Sequence, residues 1–484
     1  MAVRKIRMKA SNFWRWIIVL IFAVSLAALG YYVFVADSGV RRTAGPGQNG
    51  GTYRQVAQLS LGQVEVKNYQ RMGFTRGYLR FSPDSGRLAV GTETGQIIML
   101  SREGTVLWQR PAGLGKVTAM EFSPDGACLY VGETSADGSL YCLDAASGRE
   151  WWKNGLAAGL GVDLKRKSHP GIIRILTDRA GRVFALTQRY DRSARGESFY
   201  FAKIFCVNPE GKEIWRYPAD EAMDAWVNWL SVDKQGRRIV FGTANFDTEH
   251  HYRYDKNAYC LDADSGLEAW SVNIEPNPPF QRTILRGSPN IAADGKYVAA
   301  MASDGRAILF DSQGQELWRR HLSVPKKIDE IYLNAVGRDA YVLGDFAVFT
   351  TINTYNNANW QLPTPLEHPS SNSLFIFTVG GQLVAKWRAG GGIEEIAYTS
   401  TRQLAAAVGR NTKSKDTSVH GVYLLDMPNA AAVEKLATEG PCAAVAISPD
   451  ERLVAGIEAP LQLDDGSIIG GYRLWLWEKK AEPR

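Results

Sequence analysis

Short runs in which apolar and polar residues alternate fill this chain from about residue 77 onward, QIIMLS, SLYCLD, RAILFD and RLWLWE among them. A period of two is the signature of half-buried β-strands, and no long apolar recurrence at helical spacing intervenes. Tight polar turns separate the runs, and two kinds recur. One ends in Gly and is followed about four residues later by Trp: LSREGTVLW (Trp108), LDAASGREW (Trp151), VNPEGKEIW (Trp215), LDADSGLEAW (Trp270), FDSQGQELW (Trp318) and FTVGGQLVAKW (Trp387). The other is a Ser-Pro-Asp hairpin, as in FSPDSGRLAVGT, FSPDGACLYVGE and ISPDERLVAGIE, with Pro-less counterparts DRAGRVFALT, DKQGRRIVFGT and AADGKYVAAMA. Pro at the second turn position and Asp or Gly after it are tight-turn chemistry.

Such recurrence marks a repeat architecture in which each unit is four short strands. Eight units begin near Gly77, Lys116, Gly171, Trp226, Thr283, Asp329, Gly392 and Pro441. The pattern predicts an all-β fold, an eight-bladed β-propeller of four-stranded antiparallel blades, preceded by one N-terminal transmembrane helix. The last unit lacks a fourth strand, and TYRQVAQLSL (52–61) belongs to no complete unit. That segment is expected to close the ring as the missing outer strand.

The N-terminus breaks the alternation. Residues 16–36 carry no charge, and at about 1.5 Å per residue they would span roughly 30 Å, the thickness of a bilayer core. A cleaved signal peptide is the competing reading, but the apolar run outlasts a secretory core. Arg4, Lys5, Arg7, Lys9 and Arg15 precede the run and Arg41 and Arg42 follow it. This asymmetry places the N-terminus in the cytoplasm. The expected organisation is a basic cytoplasmic tail (1–15), a signal anchor (16–36), a Gly-rich tether (37–51), the closing strand (52–76), the propeller (77–480) and a short tail (481–484). The expected localisation is a single-pass cell-membrane protein with its propeller outside the cytoplasm, in a bacterial envelope.

Charge adds little beyond this. The formal net charge is +6, and the five cations before the anchor, with no acid before residue 37, supply most of it. The body is near neutral, so nucleic acid is not an expected partner. Of five cysteines, Cys142, Cys206 and Cys260 occupy the same repeat slot and read as buried structural residues too far apart to bridge. Cys128 and Cys442 read as free thiols.

Alternating D-x-x-S-G-x-x-x-W ends and Asp-Gly hairpins resemble the PQQ-like repeat propellers, a superfamily with BamB-like and WD40-like members. The resemblance covers about 77–480 and concerns fold rather than activity; Trp-Asp and Gly-His dipeptides of the standard WD40 pattern are absent. It implies that Trp108, Trp151, Trp215, Trp270, Trp318 and Trp387 dock against neighbouring blades. It does not carry the cofactor, since the adjacent Cys-Cys pair and calcium-binding carboxylates of PQQ-dependent dehydrogenases find no counterpart.

Loop length points to a functional face. Turns between first and second strands, and between third and fourth, are short throughout. The other connections carry insertions at 156–170, 188–200, 245–257, 275–287 and 350–374, and function concentrates in such loops. Arg189, Arg192, Arg195, His250, His251, Tyr252, Tyr254 and Trp360 are the candidate interaction residues there. Lys165, Arg166 and Lys167 could extend a basic patch, and Trp226, Trp229, Phe280 and Tyr355 an aromatic rim. Asp247, Glu249, His250, His251 and Asp255 are the most metal-like group, but adjacent His on a hairpin point to opposite faces, so a solvated loop is the simpler reading. No Gly-x-Ser-x-Gly, HExxH, phosphate-binding loop or Cys-x-x-Cys is present. The expectation is a non-catalytic propeller without cofactor or metal that scaffolds protein partners or assists envelope assembly. A propeller enzyme of PQQ or carbohydrate-active type and a ligand-binding sensor are the alternatives.

Overall fold

A computed structural model describes residues 51–481 except 69–77, 114, 163–167, 193–196, 245–251, 329–330, 354–365, 400–402 and 410–415. Eight four-stranded sheets follow one another along the chain. Blade 1 runs from Tyr78–Phe81 to Val106–Pro111, blade 2 from Val117–Phe122 to Glu150–Gly155, blade 3 from Gly171–Thr177 to Glu213–Tyr217 and blade 4 from Trp226–Val232 to Glu268–Val272. Blade 5 runs from Asn290–Ile291 to Glu316–His321, blade 6 from Ala335–Leu343 to Leu383–Arg388 and blade 7 from Ile393–Tyr398 to Ala431–Ala437. Blade 8 takes Cys442–Ile447, Leu453–Glu458 and Arg473–Lys479, and its fourth strand is Tyr53–Ser60. First strands of successive blades pack on one another, the first of blade 8 on that of blade 1, so they form the inner wall of a closed ring. Blades 5 and 6 begin later than Thr283 and Asp329, because the connections before them make extra excursions; the second includes a hairpin of Lys326–Ile328 and Ile331–Leu333.

Alternation along the strands divides each sheet between two interfaces. In blade 1, Ala89, Ile97 and Met99 pack on Val117, Met120 and Phe122 of blade 2. Leu88, Val90, Ile98 and Leu100 point the other way, onto Leu453, Leu474 and Leu476 of blade 8. Both faces of a middle strand are therefore dry, which is why these strands read as nearly unbroken apolar runs.

The repeated Trp joins outer strands to the next blade. Trp108 Nε1 donates to the Ala145 carbonyl at 3.1 Å, Trp215 to Ala263 at 3.0 Å, Trp270 to Ser312 at 3.1 Å and Trp318 to Val379 at 2.8 Å. Each acceptor lies in the turn between third and fourth strands of the following blade, and the ring lies against that turn's glycine. In blade 2 the residue in this position is Trp152, which donates to Pro209 at 2.9 Å. Trp151 is 46% exposed. The pairing slips between Glu150 and Trp152, leaving Trp151 as the bulged residue. Trp152 stands opposite Cys142, as Trp215 does opposite Cys206 and Trp270 opposite Cys260. In blade 6 the equivalent place, four after the glycine, is Ala385; Trp387 lies two residues on and packs beside Tyr423 of blade 7, with ring centroids 5.3 Å apart.

Cysteine pairing departs from expectation. Cys128 and Cys142 form a disulfide between adjacent strands of blade 2, their Cα atoms 6.1 Å apart. Cys128 is thus not a free thiol; its bonding partner is a diagonal neighbour within one blade rather than a cysteine of another blade. Cys206, Cys260 and Cys442 are buried free thiols, pushed up to about 12 by desolvation.

The single-pass localisation also needs correction. Among the described residues no helix is long and apolar enough to cross a membrane, because the apolar faces of the strands are used between blades. The run at 16–36 on which that localisation rested lies outside the described residues.

The Ser-Pro-Asp hairpins share one hydrogen-bonding scheme. Ser123 Oγ donates to Asp125 Oδ1 at 2.6 Å, and the same oxygen accepts the Ala127 amide at 3.0 Å. Ser82 with Asp84 and Ser448 with Asp450 repeat it. The Ser hydroxyls, foremost, hold the Asp84 and Asp125 carboxyls below the usual range. A depressed folded-state pKa gives stability that is present above the unfolded pKa of about 3.9 and lost as pH falls through the folded value. Ser82→Ala with Ser123→Ala should therefore flatten the acid limb of a melting-temperature profile between about pH 5 and pH 2. An acid limb as steep as the parent's would contradict this.

Candidate functional site

The inserted connections lie on one face, and the best-described part of it lies over blades 3 and 4. In blade 3 the strands Val183–Arg192 and Ser198–Val207 pair along their whole length, from Val183 opposite Val207 to Arg192 opposite Ser198. The first strand pairs with them only as far as Gly171 opposite Gln188. Residues 189–192 and 198–201 therefore project past the sheet as a two-stranded ribbon. Tyr190 and Phe199 on this ribbon are 45% and 41% exposed. Tyr190 packs on Tyr200 at 5.2 Å, and Tyr200 stacks on Trp226 of blade 4 at 6.0 Å. The result is an aromatic ledge bridging two blades.

Two cations lock the ledge from beneath. Arg189 is buried, lies over the Phe201 ring at 4.3 Å and donates through Nε to the Leu160 carbonyl at 2.6 Å, fixing the loop before blade 3. Ser168 Oγ of that loop donates to the Tyr190 carbonyl at 2.5 Å. Lys203, also buried, donates to the Asp220 carbonyl at 2.5 Å in the connection to blade 4. Desolvation, foremost, pulls its ammonium below its ordinary range. A side chain held this way loses little entropy on binding, which favours a preformed docking surface.

Further exposed apolar groups share this face: Val162, Val324, Ile328, Tyr332 and Ile468. Where the outer strands leave the opposite, tight turns, Trp151, Ile214, Leu267, Leu317 and Leu383 are exposed as well. Single exposed apolar residues are ordinary; what sets the inserted face apart is the locked ledge.

The predicted interaction residues separate into four groups. Arg189 serves inside the face as a strut. Tyr254 packs with Tyr217 and Tyr259 against the blade 3–4 core. Arg192 and Tyr252 lie in the inserted connections of blades 3 and 4. Arg195, His250, His251 and Trp360 lie outside the described residues, as do Lys165, Arg166, Lys167, Asp247, Glu249 and Tyr355. Sequence reasoning missed Tyr190, Phe199 and Tyr200; the alternation in QRYDRSARGESFYF, continuing through an insertion, was the available signal.

Among the described residues no group of three His, Cys, Asp or Glu could hold a metal ion, and the one bonded cysteine pair links strands rather than neighbours in sequence.

Comparison with known proteins gives a consistent picture. A family model described as outer membrane protein assembly factor BamB matches residues 93–197 and 136–364. No curated protein matches. Among solved structures, BamB from Moraxella catarrhalis superposes with a TM-score of 0.53 at 15% identity, over 88% of this chain and 99% of that one. The Cps50 (Swd1) β-propeller domain of Myceliophteria thermophila has a TM-score of 0.43 at 11% identity, over 85% of this chain and 98% of its own.

Proposed function

Because this chain belongs to the PQQ-like propeller family described as outer membrane protein assembly factor BamB, we propose that it is a non-catalytic docking scaffold serving protein assembly. The carrying observation is the ledge of Tyr190, Tyr200 and Trp226, raised above blades 3 and 4 and locked from below, with Phe199 exposed on the other side of the same ribbon. Aromatic side chains of this kind supply much contact area for little entropy and dominate interface energetics. The partner is a protein that inserts an apolar segment against this ledge, and the family description supports a component of an outer membrane protein assembly machinery.

Tyr190→Asp with Phe199→Asp is the direct test. Both side chains are exposed, so the fold should survive with an unchanged melting temperature. Loss of two anchors of at least about 1 kcal/mol each corresponds to a weakening of at least tenfold. Pull-down of assembly-machinery components by the double variant, compared with the parent, reads this directly. Undiminished recovery from a normally folded variant would overturn the reading.

A further inference from the structure

The inner wall carries polar groups that docking on the elaborated face does not use. They come from the first strands of six blades: Arg80 and Glu121 in blades 1 and 2, Arg174 in blade 3, Trp229 in blade 4, and Tyr341 in blade 6, with Tyr398 and Glu395 in blade 7. Arg80 is committed, donating to Glu121 at 3.2 Å and to the Leu79 carbonyl at 2.7 Å. Glu395 accepts the Val445 amide at 3.0 Å. Asp339, the next carboxylate, is held by Thr350 Oγ1 at 3.1 Å and lies 3.6 Å from Arg338.

Arg174 differs from these. Its Nε donates to the Leu230 carbonyl at 3.2 Å and its guanidinium lies 3.7 Å from the Trp229 ring centroid, yet among the described residues no carboxylate pairs with it. Trp229 Nε1, below it, is buried without a hydrogen-bond partner. Tyr341 and Tyr398 meet edge to face, with centroids 5.2 Å apart, and among the described residues neither phenol oxygen has a hydrogen-bond partner. Tyr398 is 46% exposed although it belongs to the inner wall, so it faces the channel. Trp229, beneath Arg174, packs against the cluster that contains Tyr341, so these groups share one space. Desolvation first, and then the Arg80 charge, pulls Arg174 down, and the Arg174 charge in turn bears on both tyrosines. Desolvation, foremost, raises both phenols, so they remain protonated donors at neutral pH.

We propose that the central channel binds a small oxyanion, carboxylate or phosphate, on the Nη groups of Arg174, with the Tyr341 and Tyr398 hydroxyls donating to it. A guanidinium fork presents parallel donors that match a planar or tetrahedral oxyanion. Arg80 adds a second positive field, while Glu121, Glu395 and Asp339 are engaged by their own donors. Trp229 fixes the plane of the guanidinium by stacking.

Isothermal titration of the full-length chain with acetate, phosphate and, as an ionic-strength control, chloride tests this. Acetate or phosphate should bind saturably at one site, and the better of the two identifies the ligand's chemistry. Arg174→Gln should weaken that binding at least tenfold, and Tyr398→Phe, which keeps the ring packing, several-fold. Arg102→Gln, at the outer end of blade 1, should leave it unchanged. Absence of saturable binding, an equal response to chloride, or undiminished binding by both channel variants would overturn the proposal. These readouts are independent of partner capture, so either reading can fail alone.

Discussion

Gly266→Ala should lower stability by about 2–5 kcal/mol, the sum of a left-handed backbone penalty of about 1–2 and an overpacking penalty of about 1–3. Gly266 has φ +70°, and a Cβ built on it would lie 2.6 Å from the Trp215 ring. Neither strain can relax cheaply, because Trp215 is buried and tied to the Ala263 carbonyl of the same turn. Truncating the partner, Trp215→Ala, should cost about 3–5 kcal/mol through the cavity it leaves. Blade 2 supplies an internal control: Trp152→Ala should be strongly destabilising, whereas Trp151→Ala should stay within about 0.5 kcal/mol, as expected for an exposed side chain. Denaturant unfolding of the four variants decides the matter. Equal effects at 151 and 152 would contradict the assigned docking position.

Deleting residues 52–61 should be more damaging still. Tyr53–Ser60 pairs with Arg473–Lys479 from Tyr53 opposite Lys479 to Ser60 opposite Arg473. It also touches both neighbouring blades. The Thr52 and Tyr53 amides donate to Glu434 of blade 7 at 2.8 and 3.2 Å. On the other side, a Cβ on Gly104 of blade 1 would lie 2.3 Å from that of Ala57. The closing strand thus takes the place that a Trp-bearing strand has elsewhere, with a small residue in contact with the turn glycine. Its loss removes a ladder of hydrogen bonds worth about 1 kcal/mol each and uncovers Leu474 and Leu476 along an open edge. We expect a loss exceeding roughly 5 kcal/mol, comparable with the whole stability of many domains, together with aggregation. A synthetic 52–61 peptide added in trans should restore the melting transition. A deletion variant that melts like the parent would contradict closure by this strand.

Blades were legible because the two turn chemistries recur and because strands buried on both faces leave an apolar trace. Finer placement was not. The docking Trp stands four residues after the turn glycine, which in blade 2 is Trp152; stopping at the first Trp after Gly148 gives Trp151, which the pairing leaves as the bulged residue. Cys128 and Cys142 looked unrelated because one sits after a hairpin turn and the other in the repeat slot; their diagonal register brings them together. Arg189 read as a surface cation because its burial depends on the connection between blades 2 and 3 folding over it. The channel cluster was hidden for a similar reason. Arg80, Arg174, Tyr341 and Tyr398 are scattered along the chain, and only ring closure assembles them.

The central claim is docking through the aromatic ledge, and site-specific photocrosslinking tests it most directly. A photoreactive residue at Phe199, on the ribbon that carries the ledge, is compared with one at Lys296, which is exposed at a tight turn of blade 5 on the opposite face. The account predicts one defined adduct with an assembly-machinery protein from position 199, abolished by Tyr190→Asp, and none from position 296. Adducts formed equally from both positions, or from 296 alone, would contradict it.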